Sequence, residues 1–509
     1  VLSKAGRGVL FFVWLVASAC SAPEPDESVI SRVVIGVPES NAAGETVGIN
    51  QFVNALSIEG LLKTGDDGHA VPWLASDWKW ENNNLQLRIQ LRPDVHFHDG
   101  TLLNASLAAE LIRQAISSPR NKGLFPALND VASVTTDGEL DLIINLSRTS
   151  ALLPTDLALP LRTGKDLNVG TGPYQVDSSN PKELTLKRFD DYYAGKPTIE
   201  QVAVRPFDTL RNAWASLLRG EVDVVSDVPA DAVEFIRNED VQVVPYGRRY
   251  QYLIAFNSGK GALRSPAVRR ALNLAVDRPA LIEKVLQGGG TPSTGALWPS
   301  YWAYDSAVQP YSFAPEQAAA MLDDAGYPVR AGSGGGAPPA RFRFGCVIPE
   351  NFAVLERIAL EVQRNLLNIG VDMEIEPVPA KEFGERIEAG KFDAVLNDMS
   401  SGPTPGRAYV FWRSRRGFNG ELNVFGYENA EAEKLFSVLN TSMNDAAVRS
   451  ATARLQQVLL NDPPALFLAW NARARAIRTA FVIPEGGGDP LNSLWKWTPA
   501  PGARPATAP

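Results

Sequence analysis

The chain has 509 residues, too many for one ordinary hydrophobic core, so two or three domains are expected. Hydrophobic residues make up 45% and charged residues 21%, the balance of a globular protein rather than a disordered or fibrous one. The formal charge of −8 argues against a nucleic-acid binder, and the basic stretches at 248–249 and 413–416 are local clusters.

At the start, Lys4 and Arg7 precede an apolar run at 9–17, followed by Ser18, Ala19 and Cys20. This is the pattern of a secretory leader, and the run is too short to cross a bilayer. Val16-Ala17-Ser18-Ala19-Cys20 resembles a bacterial lipobox, with Ala17 where Leu or Val is usual. The expectation is a signal peptide at 1–19, lipid on Cys20 and a periplasmic or cell-surface protein anchored to a membrane. An ordinary leader that happens to contain a cysteine is the alternative. With Cys20 lipidated, Cys346 has no disulfide partner and reads as a buried structural thiol in the apolar run RFRFGCVI. Residues 20–31 are polar and acidic, a tether.

Residues 32–38 (RVVIGVP) predict a buried strand, and 39–48 a small-residue loop. Residues 50–62 carry helical apolar spacing and end in Glu59-Gly60-Leu61-Leu62. Short strands follow, with a turn at Asp66-Asp67-Gly68, the segment VPWLASDW at 71–78, an alternating LQLRIQL at 85–91 and a tight turn in DVHFHDG at 94–100. A helix is predicted at 105–116 and a hairpin at 133–146, turning at Asp137-Gly138. TGPYQV at 171–176, FDDYYAGK at 189–196 and GEVD at 220–223 punctuate further strands and a helix at 210–218. Residues 250–257 predict a buried strand. Ser265 then caps a helix that has Pro266 at its first position and Val268, Ala271, Leu272 and Ala275 on one face. Asp277 caps a second, which stops at 288–290. GALWP occupies 295–299. Helices at 313–325, 354–369, 430–440 and 446–460 alternate with strands at 342–348, 371–377, 392–396 and 464–469. Residues 330–340 are low in complexity, and the Pro/Ala-rich tail at 501–509 reads as disordered.

Taken in order, these segments resemble the dipeptide, oligopeptide and nickel class of bacterial extracellular solute-binding proteins, family 5, which deliver ligands to ABC importers. The resemblance is carried by Phe256-Asn257, Pro266, Val268-Arg269, Ala271-Leu272-Asn273, Ala275-Val276-Asp277-Arg278 and Gly289-Gly290, with Thr171-Gly172-Pro173-Tyr174 and Phe97-His98-Asp99-Gly100 as further matches. It covers about 32–484. Strands alternating with helices already suggest α/β lobes. The resemblance implies a two-lobed periplasmic-binding-protein-like fold of type II with an extra subdomain and two hinge crossovers. Lobe I is expected at 32–248 plus 485–500, with the subdomain inserted at about 49–168, and lobe II at 249–484. The implied partners are a small-molecule ligand, peptide by default, and permease subunits. A monomer is expected.

The chemistry-bearing motifs are few. His96 and His98 would share a strand face as zinc ligands might, but the chain has three histidines, and Asp99-Gly100 reads as a turn. Gly332–Gly336 is followed by Pro338-Pro339 and opens no helix, so it is not a phosphate loop. No nucleophile motif is present. Neither metal nor cofactor nor catalysis is expected. In peptide-binding members, an Asp after the strand that corresponds to FDAVLNDMSSG at 392–402 pairs with the ligand's α-ammonium. Here that position falls on Gly402. Either Asp398 takes the role, or the ligand has no free α-ammonium and is an oligosaccharide, an opine-like compound or a metal chelate; a surface-exposed Asp398 that does neither is the competing reading. A non-transport envelope receptor or scaffold on the same fold also stays open. Other cleft candidates are Glu39, Ser40 and Asn41 after the first strand, Trp298 in GALWP, Trp412 and Arg413, where an Arg could grip a carboxylate, and Asn423 and Tyr427 in NVFGYEN. Core packing is the competing role for each aromatic.

Overall fold

The structure, a computed structural model, describes residues 29–38, 45–163, 169–180, 182–329, 340–414, 423–485 and 488–502. The leader, Cys20, most of the tether, nearly all of the low-complexity stretch and most of the tail lie outside the described residues.

One curled sheet runs through both halves of the molecule. Its strands are β1 (Ile30–Pro38), β2 (Tyr174–Asn180), β3 (Glu183–Arg188), β4 (Ile199–Phe207), β5 (Val224–Pro229), β6 (Val241–Phe256), β7 (Gly290–Pro292), β8 (Phe342–Pro349), β9 (Val371–Val378), β10 (Ala394–Ser400) and β11 (Ala465–Arg478). They lie in the order β9-β8-β10-β6-β11-β5-β1-β4-β3-β2, with β7 also paired to β11. β6 and β11 are the long members and pair antiparallel, Val241 opposite Arg478 at one end and Ala255 opposite Ala465 at the other. β5 joins β11 on the lobe I side and β10 joins β6 on the lobe II side. β6 and β11 are therefore the crossovers.

Period-2 alternation fills a core on each face of the sheet. In lobe I, Val33, Ile35 and Val37 face Leu186, Val202 and Trp497, while Val34 faces Ala213, Leu217 and Ile236 on the other side. In lobe II, Ile254, Phe256 and Cys346 pack under the helices Pro266–Leu274 and Ala353–Leu367, and Leu253, Ala255 and Val347 face the opposite layer. Cys346 is fully buried, and burial pushes its thiol up. Ser265 caps the helix Pro266–Leu274 and Asp277 the helix Arg278–Lys284, as their sequence predicts. The polar residues between them anchor both helices to the start of β11. Arg269 donates to the Pro463 carbonyl at 2.8 Å, Asn273 to that of Ala465 at 3.0 Å, and Arg278 to that of Phe467 at 2.7 Å.

A fifth core, from Leu61 to Leu161, belongs to a subdomain built on the antiparallel strands Ala75–Glu81, Gln86–Leu91, Asp141–Leu146 and Val131–Asp137, in that order. β11 pairs with lobe I strand β5 from Arg473 onward. The helix expected at 50–62 runs over Glu45–Ser57, and its Ile49, Phe52 and Val53 pack on lobe I.

Glu59 lies just past the end of that helix. It is 2% exposed, and it accepts hydrogen bonds from the Trp73 indole, Tyr192 at 2.8 Å, Tyr193 at 3.3 Å and Thr171 at 2.9 Å. This knot fastens the subdomain to lobe I. Around it a Cβ on Gly60 would lie 2.8 Å from the Ala158 backbone, and one on Gly170 would lie 2.1 Å from the Ser57 carbonyl oxygen. His98 belongs to the same seam, donating from Nε2 to the Gly172 carbonyl at 2.9 Å and accepting from the Gly170 amide at Nδ1.

Burial raises the Glu59 carboxyl to about 7, against the lowering pull of its donors. Burial also raises Asp156 to about 7, opposed by the Ala127 amide and the Arg407 charge. A carboxyl raised in the folded state keeps a proton that the unfolded chain has lost. Its contribution is thus fully present below the ordinary carboxylate range and disappears as pH rises through about 7. Urea denaturation is expected to give lower stability at pH 8 than at pH 5. Each group should contribute at most about 1.4 kcal/mol per pH unit, and E59Q should remove one of the two slopes. Stability that is flat or rising over this range would contradict the assignment.

Candidate functional site

Strand direction fixes where the two lobes face each other. β1 and β5 run parallel to β6, so their carboxyl ends point toward lobe II. β8 and β10 run the opposite way and end at the crossing, with Ser400 opposite Tyr250. Ligands in open α/β sheets bind outside the carboxyl ends of strands. The crossing between β5, β6, β10 and β11 is the candidate site.

The side chains there are charged and aromatic. Arg473 on β11 lies 3.7 Å from Asp227 at the end of β5, and its Nη2 reaches the Tyr252 hydroxyl at 3.5 Å. Asn471 donates to the same hydroxyl at 3.1 Å, and Tyr246 donates to Asp227 at 3.3 Å. Asp398 sits opposite Tyr252 in the β6–β10 register and acts electrostatically on Arg473. Burial alone would lower the Arg473 pKa, but the charges of Asp227 and Asp398 and the two tyrosines outweigh it and hold the guanidinium protonated. Arg475, two residues along the same strand face, pairs with Asp489 at 2.9 Å and lies 4.2 Å over the Tyr246 ring. Trp298 meets Trp470 edge to face with centroids 5.1 Å apart, and its ring lies against the crossover at Gly247. The two tryptophans lie outside all five hydrophobic cores.

Of the residues singled out in the sequence, Trp298 and Asp398 come to this crossing. Trp412, Arg413, Asn423 and Tyr427 come together elsewhere, in the core of lobe II. Trp412 is 3% exposed and packs on Phe425 and Phe467. Arg413 is buried, pairs with Glu433 at 2.5 Å and stacks on Tyr409. Asn423 donates to the carbonyls of Arg413 at 2.6 Å and Tyr427 at 3.0 Å, and Tyr427 is fully buried. Gly402 has a φ of +66°, which suits glycine. Glu39, Ser40 and Asn41 lie outside the described residues. Sequence reasoning missed Asp227, Tyr246, Tyr252, Trp470 and Arg473. The signal was WNARARAIR at 470–478, where basic residues alternate with small apolar ones in a strand. Among the described residues no group of three His, Cys, Asp or Glu side chains is placed to hold a metal ion.

The family model for bacterial extracellular solute-binding proteins, family 5, matches residues 69–420. The glutathione-binding protein GsiB of Salmonella typhimurium is 25% identical over 356 residues, covering 67% of each protein. Its counterpart from Shigella dysenteriae is 24% identical over 466 residues, 86% of this chain and 89% of the relative. Among solved structures, the oligopeptide-binding protein AppA of Bacillus subtilis with a nonapeptide superposes with a TM-score of 0.77 at 21% identity, over 93% of this chain and 100% of that one. NikZ of Campylobacter jejuni with Ni(L-His) also gives 0.77, at 20% identity over 92% and 99%. At such identities the two structures speak to the fold alone.

Packing and cleft roles separate on truncation. Trp412→Ala is expected to cost about 3–5 kcal/mol, the range for emptying a buried aromatic site. Trp298→Ala should cost about 1 kcal/mol, the edge-to-face term. Urea midpoints of the two variants check this, and equal losses would place Trp298 in the core as well.

Proposed function

Because the chain belongs to the bacterial extracellular solute-binding proteins of family 5, we propose that it captures peptides between its lobes and hands them to an ABC importer. The observation that carries this is the charged and aromatic cluster where the crossovers meet the strand ends. A peptide brings an ammonium, a carboxylate and apolar side chains. Asp398 and Asp227 offer the carboxylates, Arg473 the guanidinium, and Trp298 with Trp470 an apolar wall. Asp398 takes the ammonium in place of the carboxylate missing at Gly402. Capture is a shift toward the joined-lobe state, driven by the ligand's greater affinity for it, and calls for no catalytic step.

We further propose that the chain is exported and tethered by lipid on Cys20, and that it acts as a monomer. No described helix is long and apolar enough to cross a membrane. The second reading, a non-peptide ligand such as a metal chelate, is favoured by one observation: Gly402 has no side chain where peptide-binding members carry their aspartate.

Mass spectrometry of small molecules released by denaturing the natively purified protein tests the reading. A set of short peptides is expected. A single sugar, opine or chelate would overturn the peptide assignment in favour of the second reading. With a recovered peptide in hand, D398N should weaken binding by about 30-fold or more, equivalent to about 2 kcal/mol for a truncated buried charge pair. An N-acetylated form of that peptide should lose a similar factor.

A further inference from the structure

The subdomain touches both lobes, and the two contacts differ in kind. Its junction with lobe I is the buried Glu59 knot. Its junction with lobe II is made by the exposed turn at 66–69, between the strands Leu62–Thr64 and Ala70–Pro72. There Arg249 on β6 pairs with Asp66 at 2.7 Å. The Trp302 amide donates to the Asp67 carbonyl at 2.8 Å, and the His69 ring stacks on the Trp302 ring, centroids 5.0 Å apart and planes at 24°. Arg449 adds its guanidinium to that ring at 4.9 Å. Gly68, at φ +88°, fits so tightly that a Cβ there would lie 2.4 Å from the Pro403 carbonyl oxygen and 2.8 Å from the Tyr301 ring. A second, buried contact lies further along, where the Ala151 amide donates to the Asn440 carbonyl at 2.5 Å and Asn440 donates to Asp130 at 3.3 Å.

From these contacts we propose that residues 66–69 form a clasp that sets the balance between joined and parted lobes, and through it the ligand affinity, from outside the crossing. The proposal rests on the hinge-closure reading above. The Glu59 knot has no exposed member, whereas the lobe II junction mixes the buried Asn440, Asp130 and Gly68 with the exposed Asp66, Asp67 and His69, so in this scheme the lobe II junction is the one that separates when the lobes part. Each exposed contact is weak on its own. Several acting together bias a two-state equilibrium, and the apparent affinity scales with the fraction of protein in the binding-competent state. Asp66, His69 and Trp302 are positioning residues in this scheme.

Gly68→Ala is the direct test, because its methyl group wedges against lobe II. Its control is Gly138→Ala in the other hairpin turn of the subdomain, where φ is +81° and an added Cβ meets nothing within 4 Å. Both substitutions strain a turn, and one of them obstructs the lobes. Small-angle X-ray scattering is recorded on the full chain after ligand is stripped by unfolding and refolding. G68A is expected to show a larger radius of gyration than the native protein, and G138A to match it. His69→Ala, which removes a side chain 53% exposed, should move in the same direction as G68A. With glutathione as probe, the Kd should weaken about tenfold in G68A and H69A and stay unchanged in G138A. Scattering profiles of G68A and H69A that match the native protein, or a G138A effect equal to that of G68A, would overturn the clasp. Should glutathione bind to none of them, the scattering still decides the clasp, and the peptide reading is what loses ground.

Discussion

The ladder between β6 and β11 is the constraint from which the rest follows. Both lobes are extensions of this pair, since β10 and β8 build outward from one end and β5, β1 and β4 from the other. The register slips between Gly247 and Gln251, so the pairing is irregular where the chain passes from lobe to lobe. A second slip follows between Tyr252 and Leu253, and an irregular stretch with continuous pairing on either side is the mechanical description of a hinge. The charged cluster of Asp227, Asp398 and Arg473 stands at the same place, so a ligand bound there contacts both bodies and the strands that join them.

Buried charge in this protein is consistently answered by named partners. Arg269 and Arg278 spend their donors on backbone carbonyls that lead into β11. Arg413 is held by Glu433, and Arg475 by Asp489. Glu59 gathers four donors from two bodies. Leaving any of these groups alone would expose the cost of desolvation, so each fixes a local geometry rather than merely adding stability. Their locations separate scaffold from site, because most join elements within a lobe or at the fixed junction, whereas Arg473 stands between the lobes.

Much of the fold was legible in the residues. Ser265, Pro266 and Asp277 marked helix starts that the backbone confirms, and the alternation in LQLRIQL put Leu87, Ile89 and Leu91 in the subdomain core. The helix before Glu59 was placed too late, since apolar spacing continues through Leu61 and Leu62 after the helix has ended at Ser57. The site was less legible than the fold. Trp412 and Tyr427 sit in aromatic-rich motifs, yet motif position does not say which way a ring points, and here both point into the core. Arg473 was passed over because an arginine in an apolar strand is unremarkable until its neighbours across two other strands are known.

β11 also fixes when the molecule can be completed. It lies between β6 and β5, so the lobe I sheet β5-β1-β4-β3-β2 has no link to β6 until β11 has emerged from the ribosome. The last described segment then finishes the same lobe, with Trp497 buried beside Phe481 and Thr198 bonded to the Trp495 carbonyl at 3.1 Å. β5, at the edge of that sheet, therefore keeps one side unpaired until β11 arrives. Nascent chain that already holds β1 to β5 waits, unfinished and open to chaperones, for some 250 residues of translation to supply its missing neighbour.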